Sequence, residues 1–93
     1  MADLHTQTEE EVVDEVKTQH PAKAILFNDE VHTFDEVISQ IRKATGCDLP
    51  TAERMTLEVH HIGKSCVFTG ELVKCLQVTS VLEEIKLMTQ VEV

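Results

Sequence analysis

Hydrophobic and polar positions change their spacing several times along this chain, and each change predicts a different element. The apolar run Ala24-Ile25-Leu26-Phe27 predicts a buried strand over residues 23–28. After a polar stretch, apolar side chains return with the helical period of about 3.6 residues, which predicts an amphipathic helix. The apolar stripe of this helix consists of Phe34, Val37, Ile38, Ile41 and Ala44.

Residues that favour helix ends mark the limits of this helix and of a second one. Thr33 and Glu36 have the spacing of a capping box, in which each side chain accepts a hydrogen bond from the other residue's amide. Gly46 stands where a left-handed residue ends a helix at low cost. Asp48 can cap the second helix, with Pro50 in its first turn. The second helix is predicted to end at Gly63, and its buried face consists of Ala52, Met55, Thr56, Val59 and Ile62.

The last third of the chain adds two strands and a third helix. Residues 65–69 are β-rich and bounded by glycines, so they predict a strand. Residues 71–86 return to helical spacing, and residues 87–93 alternate as a terminal strand does, with Leu87 and Thr89 on one side and Met88 on the other. The order β-α-α-β-α-β predicts an α+β fold: a two-layer domain, with a three-stranded antiparallel sheet and the helices packed on one face.

Composition and charge narrow the possible partners. The chain has 93 residues, enough for one domain over residues 21–93, and its net charge of −9 argues against nucleic acid and anionic membranes. Six acids and few apolar residues in residues 1–20 predict an acidic, mobile N-terminal arm. We find neither a membrane-spanning run nor a signal peptide, and we expect a monomer.

The cysteines and the motifs argue against several kinds of chemistry. Cys47, Cys66 and Cys75 are odd in number and lack C-x-x-C spacing, which favours a reducing, cytoplasmic location and three free thiols that pack as small core residues. The chain has no nucleophile elbow, phosphate loop or zinc-protease motif. We therefore expect a binding module without a cofactor rather than an enzyme.

The polar junction after the first strand carries the most distinctive chemistry. Asn28, Asp29 and Glu30 form a compact group of acceptors beside apolar surface, which suits a ligand with a cationic amine and an apolar side chain. His60 lies one turn beyond Thr56 on the second helix and could approach this junction. Alternatively, the junction is an ordinary polar turn, and His60 a solvent-exposed helix-end residue.

A metal site is the alternative from another class of function. His60, Cys66 and a carboxylate could in principle form a zinc site, or His60, His61 and a cysteine could serve a small enzyme or metal protein. Neighbouring imidazoles on a helix point to different sides, which makes His60 and His61 a poor pair of ligands on their own. We therefore expect no metal.

The junction and the end of the second helix resemble two motifs of one family. Ala24-Ile25-Leu26-Phe27-Asn28-Asp29-Glu30, followed by a helix, resembles the strand–NDD–helix start of the ClpS family. Leu57-Glu58-Val59-His60, with Gly63-Lys64, resembles that family's M-L-x-V-H-x-x-G-K segment, at a matching distance. The resemblance covers about residues 22–93. It implies a non-catalytic adaptor that recognises N-degrons and delivers them to an AAA+ Clp unfoldase of the ClpA or ClpC type.

The resemblance also implies roles for individual residues. The α-amino group of a substrate would meet Asn28, Glu30 and His60, with Asp29 beside them. The first side chain, usually Leu, Phe, Tyr or Trp, would enter a pocket lined by Phe34, Val37, Thr56, Val59 and Met88.

Several positions depart from the family pattern. Glu30 replaces an Asp, and His32-Thr33 stands where the family usually has Thr-Pro. Phe34 and Thr56 replace two methionines, and Gln77 replaces a Lys on the side used for docking to the unfoldase. A ClpS-fold binding module with altered ligand or partner specificity is therefore the nearest alternative.

Overall fold

A computed structural model describes residues 21–93, so the predicted acidic arm of residues 1–20 lies outside the described residues. The elements follow the predicted order and form a three-stranded sheet with three helices. Their bounds are β1 Ala22–Phe27, α1 Phe34–Thr45, α2 Leu49–Ile62, β2 Lys64–Gly70, α3 Leu72–Glu83 and β3 Thr89–Glu92.

β1 is the central strand of the sheet, whose order is β2-β1-β3 with both pairs antiparallel. Alternate residues of β1, Ala22, Ala24 and Leu26, are fully buried and belong to the hydrophobic core. The register with β2 shifts by one residue between Ala24 and Ile25, which is a β-bulge. The two-layer α+β prediction is confirmed.

The helix ends agree with the capping residues that the sequence indicates. The Thr33 side chain accepts from the Glu36 amide, and the Glu36 carboxylate accepts from the Thr33 amide at 2.8 Å. Asp48 caps α2 by accepting from the Thr51 amide. Gly46 and Gly63 end α1 and α2 in positive-φ conformations of 74° and 102°.

The third helix is shorter than predicted. α3 ends at Glu83 rather than near residue 86, and the chain then turns through Lys86, which has a φ of +67°. Gln40 of α1 donates a hydrogen bond to the Val81 carbonyl, and Lys43 pairs with Glu84, so these contacts hold the end of α3 against α1. This end of α3 leads directly into the turn that reaches β3.

The core lies between the sheet and the helices. α1 contributes Val37 and Ile41, and α2 contributes Met55 and Val59. From the C-terminal part come four further buried residues: Cys75, Val78, Leu82 and Leu87. Among residues 21–93, every helix is too short or too polar to cross a bilayer.

Candidate functional site

The segment that joins β1 to α1, residues 28–33, is here called the junction turn. The Asn28 amide donates to the Gly63 carbonyl at 2.9 Å, which attaches the start of the turn to the end of α2. The Gly63 amide in turn donates to the Val59 carbonyl at 2.9 Å. Because His60 lies within this last turn of α2, the same contact brings its side chain beside the junction turn.

Asp29 shapes the junction turn from within. Its Oδ1 accepts hydrogen bonds from the Val31 and His32 amides at 3.0 and 2.9 Å. Its Oδ2 lies 2.6 Å from Nδ1 of the His32 ring. Burial raises the pKa of Asp29, but the hydrogen bonds from His32 and Val31 outweigh that effect, so this pKa lies below its ordinary value. The carboxylate is therefore ionised and engaged within the turn.

His32 connects the junction turn to the loop that follows α3. Its Nε2 lies 2.5 Å from the Ile85 carbonyl oxygen, while its Nδ1 faces Asp29. The hydrogen bond to Asp29 is the main cause that raises the pKa of His32 above its ordinary value; burial opposes it, and the Ile85 carbonyl adds to it. Sequence reasoning missed the contact with Ile85, because His32 and Ile85 are 53 positions apart.

The junction turn, α1 and α2 surround a cavity of about 410 Å³, a volume within the ordinary range for small-ligand pockets. Eight of the nine predicted site residues line it; only Met88 does not. The complete lining is Leu26, Phe27, Asn28, Asp29, Glu30, His32, Thr33, Phe34, Val37, Thr56, Val59, His60 and Leu87.

The inner part of the cavity is apolar. Val37 and Val59 are buried, and Thr56 is only 2% exposed. The Thr56 hydroxyl donates to the Ala52 carbonyl at 2.8 Å, one helical turn earlier. Because its hydrogen is donated within the helix, the hydroxyl has none left to donate to a ligand.

The mouth of the cavity is formed by an aromatic contact. The rings of Phe34 and His60 meet edge to face, with their centroids 5.2 Å apart and an interplanar angle of 81°. Phe34 is 42% exposed, so one side of its ring is available to a ligand. Within residues 21–93, the side chains of Asn28, Glu30 and His60 make no hydrogen bond, in contrast to Asp29.

Met88, which the resemblance placed in the pocket, does not line the cavity; it lies in the segment just before β3 and points away from it. Its carbonyl accepts from the Phe27 amide at 2.9 Å, and its side chain is 65% exposed. Leu87, one residue earlier, is buried and lines the cavity instead. Successive side chains of an extended chain point to opposite faces, so a shift of one residue exchanges the two faces.

No three histidine, cysteine or carboxylate side chains of residues 21–93 lie together in a way that could hold a metal ion. Cys66 is exposed on β2, Cys75 is buried in the core, and Cys47 is intermediate. All three are free thiols. Within these residues, the structure therefore offers no set of three ligands for a zinc site drawn from His60, Cys66 and a carboxylate.

Comparison with known proteins identifies the family. The family model of the ATP-dependent Clp protease adaptor protein ClpS matches residues 17–91 of the 93 in this chain. The chain belongs to the ClpS family. The family resemblance seen in the sequence is thereby confirmed.

Two further comparisons find similar proteins. The structure of Agrobacterium tumefaciens ClpS2 bound to L-phenylalaninamide superposes with a TM-score of 0.67 and 20% identity, covering 77% of this chain and 94% of that one. At this identity the likeness shows the fold. Among curated sequences, the human E3 ubiquitin-protein ligase UBR2 is 38% identical over 58 residues, and human UBR1 is 35% identical over 51. These matches cover 62% and 55% of this chain but only 3% of either ligase.

Proposed function

We propose that the cavity binds the first residue of a substrate protein, with its amine at the polar rim and its side chain on the apolar floor. One observation carries this proposal. Asn28, Glu30 and His60 bring three polar side chains, unused within residues 21–93, to the edge of a cavity whose floor is apolar. A ligand that matches both parts has a cationic amine directly beside a bulky apolar group, which describes the N-terminal residue of a protein.

The amine would be recognised by charge and by hydrogen bonding together. An α-amino group has a pKa near 8, so at pH 7 it is mostly charged and has three hydrogens to donate. Glu30 supplies a carboxylate, Asn28 an amide oxygen and His60 a ring nitrogen, while the carboxylate of Asp29 adds negative charge beside them. An internal residue of a polypeptide has no such amine. It would leave these acceptors unpaired, which supplies the discrimination.

The first side chain would be selected by the floor of the cavity. Leu26, Val37, Val59 and Leu87 present aliphatic surface there, and Thr56 has its hydroxyl turned to the helix. The solved ClpS2 structure holds L-phenylalaninamide, which joins a free amine to an aromatic side chain. We propose the same class of ligand here, with Leu, Phe, Tyr or Trp as the first residue.

We also propose that the protein delivers the bound substrate to an AAA+ Clp unfoldase of the ClpA or ClpC type. In this proposal its role is non-catalytic and cytoplasmic. Glu71, Lys74 and Gln77 line a second depression of about 550 Å³ between α3, β2 and the end of α1. We propose that this side contacts the unfoldase. Gln77 gives it an uncharged side chain where the family usually has a Lys, so the choice of unfoldase should depend on this position.

An array of peptides that differ only in their first residue tests the proposal. Peptides that begin with Leu, Phe, Tyr or Trp should bind, and those that begin with Gly, Ser or Asp should not. The same peptides with an acetylated N-terminus are the matched controls, because acetylation removes the charge and leaves the side chain unchanged. Equal binding of acetylated and free peptides would refute recognition of the amine.

A further inference from the structure

His32 lies between two groups that can only accept hydrogen bonds. The ionised Asp29 carboxylate faces Nδ1 at 2.6 Å, and the Ile85 carbonyl faces Nε2 at 2.5 Å. A neutral imidazole has one N–H and one lone pair, so it can satisfy only one of them. Both contacts can form only when the ring carries two hydrogens, which makes the contact between these two segments dependent on protonation.

The two segments that His32 joins both belong to the cavity. Asp29 fixes the Val31 and His32 amides in the junction turn, which also carries Asn28 and Glu30. On the other side, Ile85 lies in the loop between α3 and β3, two residues before Leu87, which lines the cavity floor. His32 is therefore the link between the rim that would meet the amine and one part of the floor.

The charged groups around His32 favour its protonated form. Asp29 and Glu36, at the start of α1, are both negative and both raise the pKa of His32. At the end of α3, the Glu83 carboxylate accepts from Thr89, and the Glu84 carboxylate pairs with Lys43. Three further titratable groups belong to the same surroundings: Glu30 of the junction turn and His60 of α2, which line the same cavity, and Lys86, which follows Ile85 in the chain.

We propose that His32 is a positioning residue for the N-terminus site, holding the junction turn against the α3–β3 loop while its ring carries both hydrogens. This inference rests on the proposed function of the cavity. Its consequence is that affinity for a free N-terminus decreases as pH rises and His32 loses a proton. The sign follows from the raised pKa: the link is complete below the ordinary pKa of a histidine, about 6.5, and is lost as pH rises through the higher value in the folded protein.

The test measures the affinity of the full chain for a peptide that begins with Phe between pH 5.5 and 8, for wild type, His32→Gln and Asp29→Asn. All three proteins bind the same peptide and differ only at His32 or at its partner Asp29, so differences between the profiles report this pair. Wild type should bind about three- to tenfold more tightly than His32→Gln at pH 6, the effect of one hydrogen bond, and this difference should shrink as pH rises.

Asp29→Asn tests whether the contact through His32 requires a charged ring, because an asparagine at this position allows a neutral ring to make the same contacts. The amide oxygen of the introduced asparagine side chain can still accept from the backbone amides. The NH₂ group of that side chain can donate to Nδ1 of His32. A neutral His32 ring with its one hydrogen on Nε2 can therefore bond to both the asparagine and the Ile85 carbonyl. Each profile is normalised to its own value at pH 6. The Asp29→Asn profile should then be flatter than that of wild type, and an NMR titration should show a lower pKa for His32. His61→Gln removes a histidine outside the link and should keep the wild-type profile.

The outcomes distinguish this inference from the proposed function. Parallel profiles for wild type and His32→Gln, in proteins that do bind the free peptide, would overturn the role of His32 and leave the proposed function intact. Absence of binding to the free peptide at every pH would overturn both. A steeper profile in wild type and His61→Gln than in His32→Gln and Asp29→Asn, together with a pKa of His32 that decreases in Asp29→Asn, would establish the link.

Discussion

Replacing Thr56 by Val asks whether the floor of the cavity recognises a hydroxyl group. Valine keeps the β-branched shape and exchanges only the hydroxyl for a methyl group. In the structure this hydroxyl donates to the Ala52 carbonyl at 2.8 Å, so it has no hydrogen left for a ligand. We therefore expect Thr56→Val to change the affinity for peptides beginning with Phe and with Tyr by the same factor.

The magnitude follows from the hydrogen bonds involved. Losing the bond to Ala52 costs about 0.5–1.5 kcal/mol of stability, and the added methyl group at this buried position offsets part of that cost. The variant should therefore remain folded, with an unfolding free energy within about 1 kcal/mol of wild type. If Thr56 instead partnered a tyrosine hydroxyl, the Tyr peptide alone would lose about 0.5–1.5 kcal/mol of binding energy.

Titration calorimetry with four peptides, identical except for Leu, Phe, Tyr or Trp at residue one, measures both effects. Thr56→Met is the companion variant, since a flexible thioether adapts to more shapes than a β-branched side chain. It should broaden the range of accepted residues, whereas wild type should favour one or two of the four by about 1–3 kcal/mol. A selective loss of the Tyr peptide in Thr56→Val would refute the orientation of the hydroxyl. Equal affinities for all four in wild type would refute the narrow selection.

Three further predictions concern the rim, the arm and a helix end. Alanine at each polar rim position should weaken peptide binding by about 1–2 kcal/mol without lowering the melting temperature; the positions are Asn28, Glu30 and His60. Deletion of residues 1–19 should leave the melting temperature and peptide affinity unchanged but reduce protease-coupled degradation, and a large fall in melting temperature would contradict it. Gly63→Ala should cost about 1–2 kcal/mol of stability because of its φ of 102°, and should also weaken binding because the Gly63 carbonyl holds Asn28. Gly46→Ala, at a φ of 74°, is the matched control that should lose stability alone; equal effects on binding would refute the link through Gly63.

Local rules explain why much of the fold could be predicted from the sequence. The capping box of Thr33 and Glu36 depends on residues three positions apart, and Gly46 and Gly63 stand where a left-handed backbone ends a helix. Part of the cavity lining could be predicted by the same local rules, since Thr56 and His60 lie one turn apart on α2 and therefore share a face of that helix. Such interactions are visible in sequence because the partners are neighbours in the chain.

Two features of the site needed the three-dimensional structure for different reasons. The alternation of residues 87–93 separates Leu87 from Met88 but does not show which of the two faces the helices; the family resemblance suggested Met88, and the structure has Leu87 at the cavity. The contact from His32 to the Ile85 carbonyl could not be predicted, since it joins distant segments through a backbone group that any residue would supply. The amino-acid type at position 85 therefore does not indicate that its carbonyl bonds to His32.

Recognition of an N-terminal residue in this cavity is tested most directly by NMR with two small ligands, phenylalanine amide and its N-acetyl derivative. They share a side chain and differ at the amine. Phenylalanine amide should shift the backbone amide signals of residues 28–34 and 56–60 and of Leu87, in a saturable manner, while the acetylated compound should leave them unchanged at the same concentrations. Equal shifts with both compounds, or shifts confined to residues outside the cavity, would contradict recognition of the N-terminal amine at this site.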